Sequence, residues 1–111
     1  MIEHCESCHI GMPLLSDAEL ATQLKTLENW THNVDKKLIE KTFQFKGYYQ
    51  VMAFVNAIAW IAHQEKHHPD LHVSYNQVTV EYTTHEAGGV TKNDLICARL
   101  VEALIVDMKK A

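Results

Sequence analysis

The spacing of hydrophobic residues predicts an amphipathic helix near the start of the chain. Apolar positions recur at helical intervals over residues 17–28, at Leu20, Leu24 and Leu27. Just before them, Ser16 and Glu19 have the spacing of a capping box, in which each side chain bonds the backbone N–H of the other residue. A first helix is therefore expected to begin after Ser16, and its role is packing.

Alternating polar and apolar residues predict four strands, in two pairs. The first pair covers residues 30–34 and 38–45, with Lys41 as a break in the apolar alternation. The second pair covers residues 71–75 and 77–84, with a turn near Asn76. One face of each pair is expected to contact a core and the other to face water, and the two pairs are expected to join because a single hairpin is marginal.

Residues 48–66 between the two pairs predict a helix that is apolar around most of its circumference. One sheet covers only one side of such a helix, whose apolar residues are Val51, Met52, Phe54, Val55, Ile58, Trp60 and Ile61. The other side is expected to meet a second copy of the chain, which predicts a homodimer or homotetramer. The alternative is that the other two helices cover it within the monomer.

A last helix is predicted after Thr91, which with Asp94 again resembles a capping box. Its inward residues would be Leu95, Ala98, Val101, Leu104, Ile105 and Met108, and Cys97 is expected to be a small buried hydrophobe. The element order is then α-β-β-α-β-β-α. This order predicts a single α+β domain over residues 14–111, with three helices on one face of a four-stranded antiparallel sheet, preceded by an irregular arm over residues 1–13.

Composition and charge narrow the classes of function. The chain has 111 residues, 47% hydrophobic, with a net charge of −4 and no dense run of lysine and arginine, which disfavours nucleic acid as a partner. The longest apolar run, over residues 51–62, is too short to span a bilayer, and no secretory signal is readable. Three cysteines, an odd number, fit a reducing compartment, so a cytoplasmic location is expected.

The arm contains a C-x-x-C-H pattern at Cys5, Cys8 and His9. This spacing is that of covalent haem attachment, and two thiols beside two imidazoles are also ligands that zinc prefers. Haem attachment needs export and a second axial ligand, for which the sequence gives no sign. A flexible tail without specific thiol chemistry is the preferred interpretation, with a metal second and haem last.

The residues with the clearest chemical content are histidines. His67 and His68 lie where Pro69 is expected to end the long helix, and His85 follows the last predicted strand. Imidazoles titrate near neutral pH, so three of them at one cleft would be able to donate and accept protons. The alternatives are a solvated helix end and a three-histidine zinc site.

Taken together, these segments resemble the pterin-4a-carbinolamine dehydratase family. The resemblance spans roughly residues 14–108 in a consistent order, and its matching text is FQFK at 43–46, EKHHPD at 65–70, VSYNQVTV at 73–80, TTHEAGGVT at 83–91 and Asp94. The Cys-x-x-Cys arm is also similar to the N-terminus of some bacterial members. The combination of His-His-Pro with a later Thr-His and a Gly-x-Thr-x-x-Asp is specific.

The resemblance implies dehydration of 4a-hydroxytetrahydropterin to quinonoid dihydropterin and water, in the recycling of the pterin used by aromatic amino acid hydroxylases. It implies no cofactor and argues against a metal. Carried over by position, the catalytic residues are His67, His68 and His85, with His67 and His85 as acid and base and His68 as the residue that positions the pterin. The implied substrate-binding residues are Pro69, Thr84, Glu86, Ala87 and Asp94.

The sequence also departs from the family pattern. Many members carry Glu where this chain has His63, which leaves Glu65 as the nearest carboxylate and predicts that His63 and His67 share a helix face. Some members have an aromatic at the position of Leu71 and Cys at that of Ala87. A second class of function is a non-catalytic dimerisation or coregulator-type binding module, because some members of the family act as partners of a transcription factor.

Overall fold

Three helices and a four-stranded antiparallel sheet form the domain. The structure, a computed structural model, describes residues 4–110, with side chains for residues 4–105. The elements are α1 Asp17–Leu24, β1 Thr31–Asn33, β2 Leu38–Gln44, α2 Tyr48–Glu65, β3 Asp70–Val73, β4 Gln77–Tyr82, a short 3₁₀ helix His85–Ala87 and α3 Lys92–Lys110. The strand order is β1-β2-β4-β3, and each neighbouring pair is antiparallel. The predicted fold class is confirmed.

The two faces of the sheet differ sharply in polarity. On the inner face of β4, Val78, Val80 and Tyr82 are completely buried beneath the helices. On the outer face, polar residues of β2 and β4 lie opposite each other and share hydrogen bonds, Thr42 with Thr79 at 2.7 Å and Gln44 with Gln77 at 2.8 Å. The alternation along each strand therefore determines which side the helices cover.

Lys41 interrupts the apolar alternation of β2 because it has a partner on the helical side. Its Nζ lies 2.5 Å from Oε1 of Glu102 on α3, and the same carboxylate oxygen accepts the indole N–H of Trp30 at 2.8 Å. A charge on the inner face of a sheet is tolerated when it is paired and hydrogen-bonded in this way. The pair also fixes α3 against β2.

Helix α1 has the predicted capping box but is one turn shorter than residues 17–28. The Ser16 N–H donates to Glu19 at 3.0 Å, and the Glu19 N–H donates to the Ser16 hydroxyl at 3.1 Å. After Leu24 the chain makes a tighter turn, in which the Leu27 N–H donates to the Leu24 carbonyl, and Asn29 then adopts a left-handed conformation with φ of 63°. The turn directs the chain into β1 and still buries Leu27.

All four strands are shorter than the predicted ones. β2 ends at Gln44 rather than at residue 45, and β3 covers Asp70–Val73 rather than residues 71–75. β1 ends at Asn33 rather than at residue 34, and β4 ends at Tyr82 rather than at residue 84. Beyond β4, Thr84 pairs with Gly89 as an isolated bridge around the 3₁₀ helix. This bridge and the small turn that it closes keep Thr84 in a fixed position.

Helix α2 buries one stripe of its apolar surface. The stripe contains Val51, Phe54, Ile58 and Ile61, which contact the core. Met52 and Val55 are half-buried, whereas Trp60 is 60% exposed. The sheet and α3 therefore leave part of the apolar circumference uncovered in the single chain.

The end of α2 differs from the expectation that Pro69 stops the helix. The helix ends at Glu65, and Lys66 follows in the left-handed conformation with φ of 54°. The N–H groups of Lys66 and His67 both donate to the Ala62 carbonyl, as in a Schellman-type helix end. His67 therefore lies beyond a sharp turn rather than on the helix.

Helix α3 contributes its predicted apolar side to the core. Leu95, Ala98 and Val101 are buried, as is Cys97, while Leu104 and Ile105 are half-buried. The side chain of Met108 lies outside the described residues. Among the helices within residues 4–110, none combines the length and apolar character that crossing a bilayer requires.

A matched pair of valine variants tests this packing. Val80→Ala removes two methyl groups at a position with no exposed surface, so it is expected to lower the free energy of unfolding by about 2 kcal/mol. Val34→Ala makes the same change where the side chain is 67% exposed, and its effect is expected to stay within about 0.5 kcal/mol. Urea unfolding of both variants measures the difference, and equal effects would contradict the described core.

Candidate functional site

The centre of the candidate site is the carboxylate of Asp94, which is completely buried. Asp94 lies in the first turn of α3, where its Oδ2 accepts the backbone N–H of Thr91 at 2.9 Å. The Thr91 hydroxyl in turn accepts the Asn93 N–H at 3.3 Å. Asp94 thus makes its half of the predicted capping box, whereas the Thr91 hydroxyl accepts from Asn93 instead of Asp94. The bond to Thr91 holds the carboxylate at the start of the helix, where a negative charge is stabilised.

His67 donates a short hydrogen bond to this carboxylate. Its Nε2 lies 2.6 Å from Oδ1 of Asp94, and its ring stacks on that of Tyr82 with centroids 5.9 Å apart. Only 6% of His67 is exposed. Because an ionised carboxylate only accepts, the neutral imidazole carries its proton on Nε2 and leaves a lone pair on Nδ1.

Thr84 brings the turn after β4 to the same carboxylate. Its hydroxyl donates to Oδ2 of Asp94 at 2.9 Å and lies 2.8 Å from the hydroxyl of Thr91. Asp94 therefore accepts three hydrogen bonds, from groups far apart along the chain. Since His85 directly follows Thr84, the carboxylate ties the segment that carries His85 to His67.

The remaining predicted site residues lie around this buried centre. His68, His85 and Glu86 are exposed, and Pro69 and Ala87 are half-buried. The antiparallel pair Asp70–Glu81 aligns the start of β3 with the end of β4, next to the stacked rings of His67 and Tyr82. The predicted residues thus divide into a buried group, with His67, Thr84 and Asp94, and an exposed or partly exposed group.

The N-terminal arm is held against the site by hydrogen bonds. The carboxylate of Glu65 accepts the Cys5 N–H at 2.7 Å and lies 2.7 Å from Nδ1 of His4. Asn93 accepts the Glu6 N–H at 3.1 Å and donates its amide to the Glu6 carbonyl at 2.8 Å. Although the pattern favoured a flexible tail, these residues have specific partners on α2 and α3.

Cys8 of the arm covers the free nitrogen of His67. The Cys8 sulfur lies 3.4 Å from Nδ1 of His67, and the amide of Asn93 donates to the same sulfur at 3.6 Å. Burial raises the pKa of the Cys8 thiol, and the nearby carboxylates of Glu86 and Asp94 add to the effect. The protonated thiol is therefore the donor to the Nδ1 lone pair.

The two arm cysteines have different partners. Cys5 lies 3.5 Å, sulfur to sulfur, from Cys97 of α3, whereas Cys8 contacts His67. Among the side chains of residues 4–105, no three or more histidine, cysteine, aspartate or glutamate groups are arranged as a metal site. The converging ligands that the zinc interpretation of the arm requires are thus not found in that part of the chain.

Sequence reasoning missed the roles of Glu65 and Asn93, which anchor the arm. The C-x-x-C pattern is typical of cysteines that share a ligand, but it does not predict that Cys5 contacts Cys97 or that Cys8 contacts His67. The expectation that His63 and His67 share a helix face is wrong, because the helix ends between them. His63 is instead exposed, with its ring 5.5 Å from that of Trp60.

Comparisons with known proteins show which family this chain resembles. Residues 13–104 match the family model described as pterin 4 alpha carbinolamine dehydratase. A protein from Nitrosomonas eutropha, named "Putative pterin-4-alpha-carbinolamine dehydratase", is 52% identical over 102 residues, which are 92% of this chain and 89% of that protein. A protein of the same name from Legionella pneumophila strain Corby is 49% identical over 108 residues, which are 95% of this chain and 94% of that protein.

A solved structure with the same fold comes from Brucella melitensis. It is described as a transcriptional coactivator/pterin dehydratase, and it superposes with a TM-score of 0.79 at 31% sequence identity. The match covers 82% of this chain and 97% of the other.

The Glu65 carboxylate that anchors the arm predicts a pH dependence. Burial opposes ionisation of Glu65, but the hydrogen bonds from Cys5 and His4 outweigh it and lower the pKa of the carboxyl. The stabilisation is then fully present above the ordinary value of 4.5 and is lost as pH falls through the lowered pKa. We expect the protection of the Cys5 N–H against hydrogen exchange, normalised for intrinsic rates, to fall at the acid end of a titration from about pH 7 to 3.

Glu65→Gln is expected to abolish this acid transition, because the amide does not titrate. Glu28→Gln is the matched control, since Glu28 is exposed and makes no hydrogen bond with the arm among the described contacts. A Glu65→Gln variant that kept the wild-type transition would assign the anchoring to another group.

Proposed function

Because this chain belongs to the pterin-4a-carbinolamine dehydratase family, we propose that it dehydrates 4a-hydroxytetrahydropterin to quinonoid dihydropterin and water. The observation that supports the proposal most is the buried Asp94 carboxylate, which bonds His67 directly and holds the His85 turn through Thr84. Two exposed histidines, His68 and His85, lie next in sequence to these bonded residues. The orienting carboxylate beside His67 supports the assignment of proton transfer to these histidines.

The reaction requires proton transfers of the kind that histidine performs. Hydroxide is a poor leaving group, so an acid protonates the oxygen on C4a as the C–O bond breaks. The N5 lone pair forms the new double bond, and a base removes a proton from the ring system. Each such transfer typically contributes about a hundred- to ten-thousand-fold to the rate. The pterin is the substrate, and the proposal needs no cofactor.

His67 and His85 act as the acid and base in this proposal, and His68 positions the pterin. Asp94 holds Nε2 of His67, as carboxylates do in catalytic triads, so Nδ1 is the nitrogen that exchanges protons. In the described conformation Nδ1 contacts Cys8, so His67 acts only when the arm moves aside. In this proposal the buried residues Thr84 and Asp94 support the pterin pocket. The residues that line it are Pro69, Glu86 and Ala87.

The pathway in this proposal is the recycling of tetrahydropterin for aromatic amino acid hydroxylases in the cytoplasm. The domain that carries it out is residues 14–111, and the arm, residues 1–13, is an appendage whose described part covers the site. A homodimer or homotetramer is proposed because α2 leaves Trp60 and neighbouring apolar surface exposed. Burial of this surface against another copy would remove it from water.

A second candidate is a binding module on the same fold. The description of the Brucella protein as a coactivator as well as a dehydratase favours it, and the uncovered surface of α2 offers a place for a partner. In this case the histidines would be dispensable, because partner binding makes no use of proton transfer.

Substitution of the exposed histidines separates the two candidates. His68→Ala and His85→Ala are each expected to lower kcat/KM for carbinolamine dehydration by about a hundredfold or more. His72→Ala is the matched control, because His72 is exposed and paired with Glu81 on the outer face of the sheet. A steady-state carbinolamine assay measures all three. Unchanged dehydration in both the His68→Ala and the His85→Ala variant would refute the enzymatic assignment.

Substitution on α2 tests self-association. Trp60→Glu introduces a charge at an exposed aromatic, so it is expected to shift the sedimentation coefficient toward that of a single chain. Val34→Glu, which changes an exposed residue of a turn, is the control and is expected to leave assembly unchanged. Identical sedimentation of the wild-type protein and both variants would contradict an interface at Trp60.

A further inference from the structure

Two cysteines face each other where the arm meets α3. The sulfurs of Cys5 and Cys97 are 3.5 Å apart, within the range in which reacting atoms are held before a bond forms. Cys97 is completely buried on the helix, whereas Cys5 is half-buried on the arm. The proposed dehydration uses neither thiol, so their proximity calls for a separate explanation.

Non-covalent contacts on both sides hold Cys5 in this position. Its N–H donates to Glu65 of α2, and the next residue, Glu6, exchanges two hydrogen bonds with Asn93 of α3. The side chain of Glu6 also lies 3.2 Å from Nζ of Lys92. These contacts keep the thiol of Cys5 beside Cys97 before any reaction takes place.

We propose that Cys5 and Cys97 are a reversible oxidation site, whose disulfide links the arm to α3 and holds Cys8 against His67. Cys8 is only three residues after Cys5, so a covalent link at Cys5 restricts how far Cys8 can move from the Nδ1 that it covers. Oxidation would thereby keep the site closed, and reduction would release it. The statement that the closed site is a catalytic one rests on the proposed function.

The oxidant in this proposal is a low-molecular-weight disulfide. The Cys5 thiolate attacks one sulfur of that disulfide, which forms a mixed disulfide and releases one small thiolate. Cys97 then loses its proton to that thiolate and attacks the Cys5 sulfur, which expels the second small thiolate. The second small thiolate takes up the proton that Cys5 released to water when it formed its thiolate. Two protein thiols are thus oxidised, and one small disulfide is reduced to two thiols. Cys97 reacts second because its hydrogen bond with Cys5 and its burial raise the pKa of its thiol.

The experiment treats the full chain with glutathione disulfide and reads the products by mass spectrometry. We expect the intact protein to lose two hydrogen atoms and proteolytic mapping to join the peptides that contain Cys5 and Cys97. In the linked protein, the amide hydrogens of Cys5 and Glu6 are expected to exchange more slowly, by about tenfold, because the arm opens more rarely. Dithiothreitol is expected to reverse both changes.

Cys97→Ala and Cys5→Ala are expected to abolish the link, whereas Cys8→Ala is expected to retain it. The Cys5→Ala variant changes only the arm, so it tests the site even if the Cys97→Ala variant fails to fold. A link between Cys5 and Cys8, adducts of glutathione alone, or unchanged amide exchange in the linked protein would overturn the proposal. None of these measurements depends on catalysis.

A dehydration assay on the linked and reduced protein distinguishes the two proposals. We expect turnover to be lower in the linked protein by about fivefold or more and to recover on reduction. A reduced protein with no activity would refute the proposed function, while the position of the link would still decide the oxidation site. A linked protein with undiminished turnover would refute the closure of the site by the disulfide.

Discussion

The structure around the candidate site depends on one buried anion, the carboxylate of Asp94. A charge without exposed surface is stable only when hydrogen bonds replace the water it has lost. Here a backbone N–H, a threonine hydroxyl and an imidazole provide them. The carboxylate is at once the cap of α3, the support of the turn after β4 and the orienting group of His67. The first turn of the last helix and the orientation of His67 therefore depend on the same side chain, and a change that loosens this turn reaches the imidazole directly.

The N-terminal arm extends this polar centre to the surface. Asn93, next to Asp94, contacts the arm backbone at Glu6 and the sulfur of Cys8. The hydrogen bonds form a continuous chain, from the Asn93 amide to the Cys8 thiol, from the thiol to Nδ1 of His67, and from Nε2 to Asp94. The carboxylate at the end only accepts, so His67 donates from Nε2 and accepts at Nδ1. The Cys8 thiol therefore donates to His67 and accepts from Asn93. The arm thus takes part in the electrostatics of the site as well as covering it.

The sequence predicted the fold better than it predicted the contacts around Asp94. Hydrophobic periodicity was sufficient for the order of elements and the inner face of β4, because burial follows directly from the strand period. The bond from the Thr91 N–H to the Asp94 carboxylate was predictable from local spacing as well. The roles of Glu65, Asn93 and Cys8 were not, since they depend on where a segment without periodicity meets two helices. The end of α2 was predicted to within one residue, but the left-handed turn at Lys66 was not, because Pro69 is the stop signal that the sequence displays.

The left-handed conformation of Lys66 has a consequence for how the site tolerates change. A lysine with φ of 54° is less stable there than a glycine by about 1 kcal/mol or more, so the wild-type residue retains some backbone strain at the end of α2. Glycine would relieve that strain, yet it would also allow the peptide units before His67 many more orientations. Relief of backbone strain and a fixed orientation of the imidazole therefore favour different residues at this position. The chain has lysine here, the residue that restricts the orientation of His67 more than glycine would.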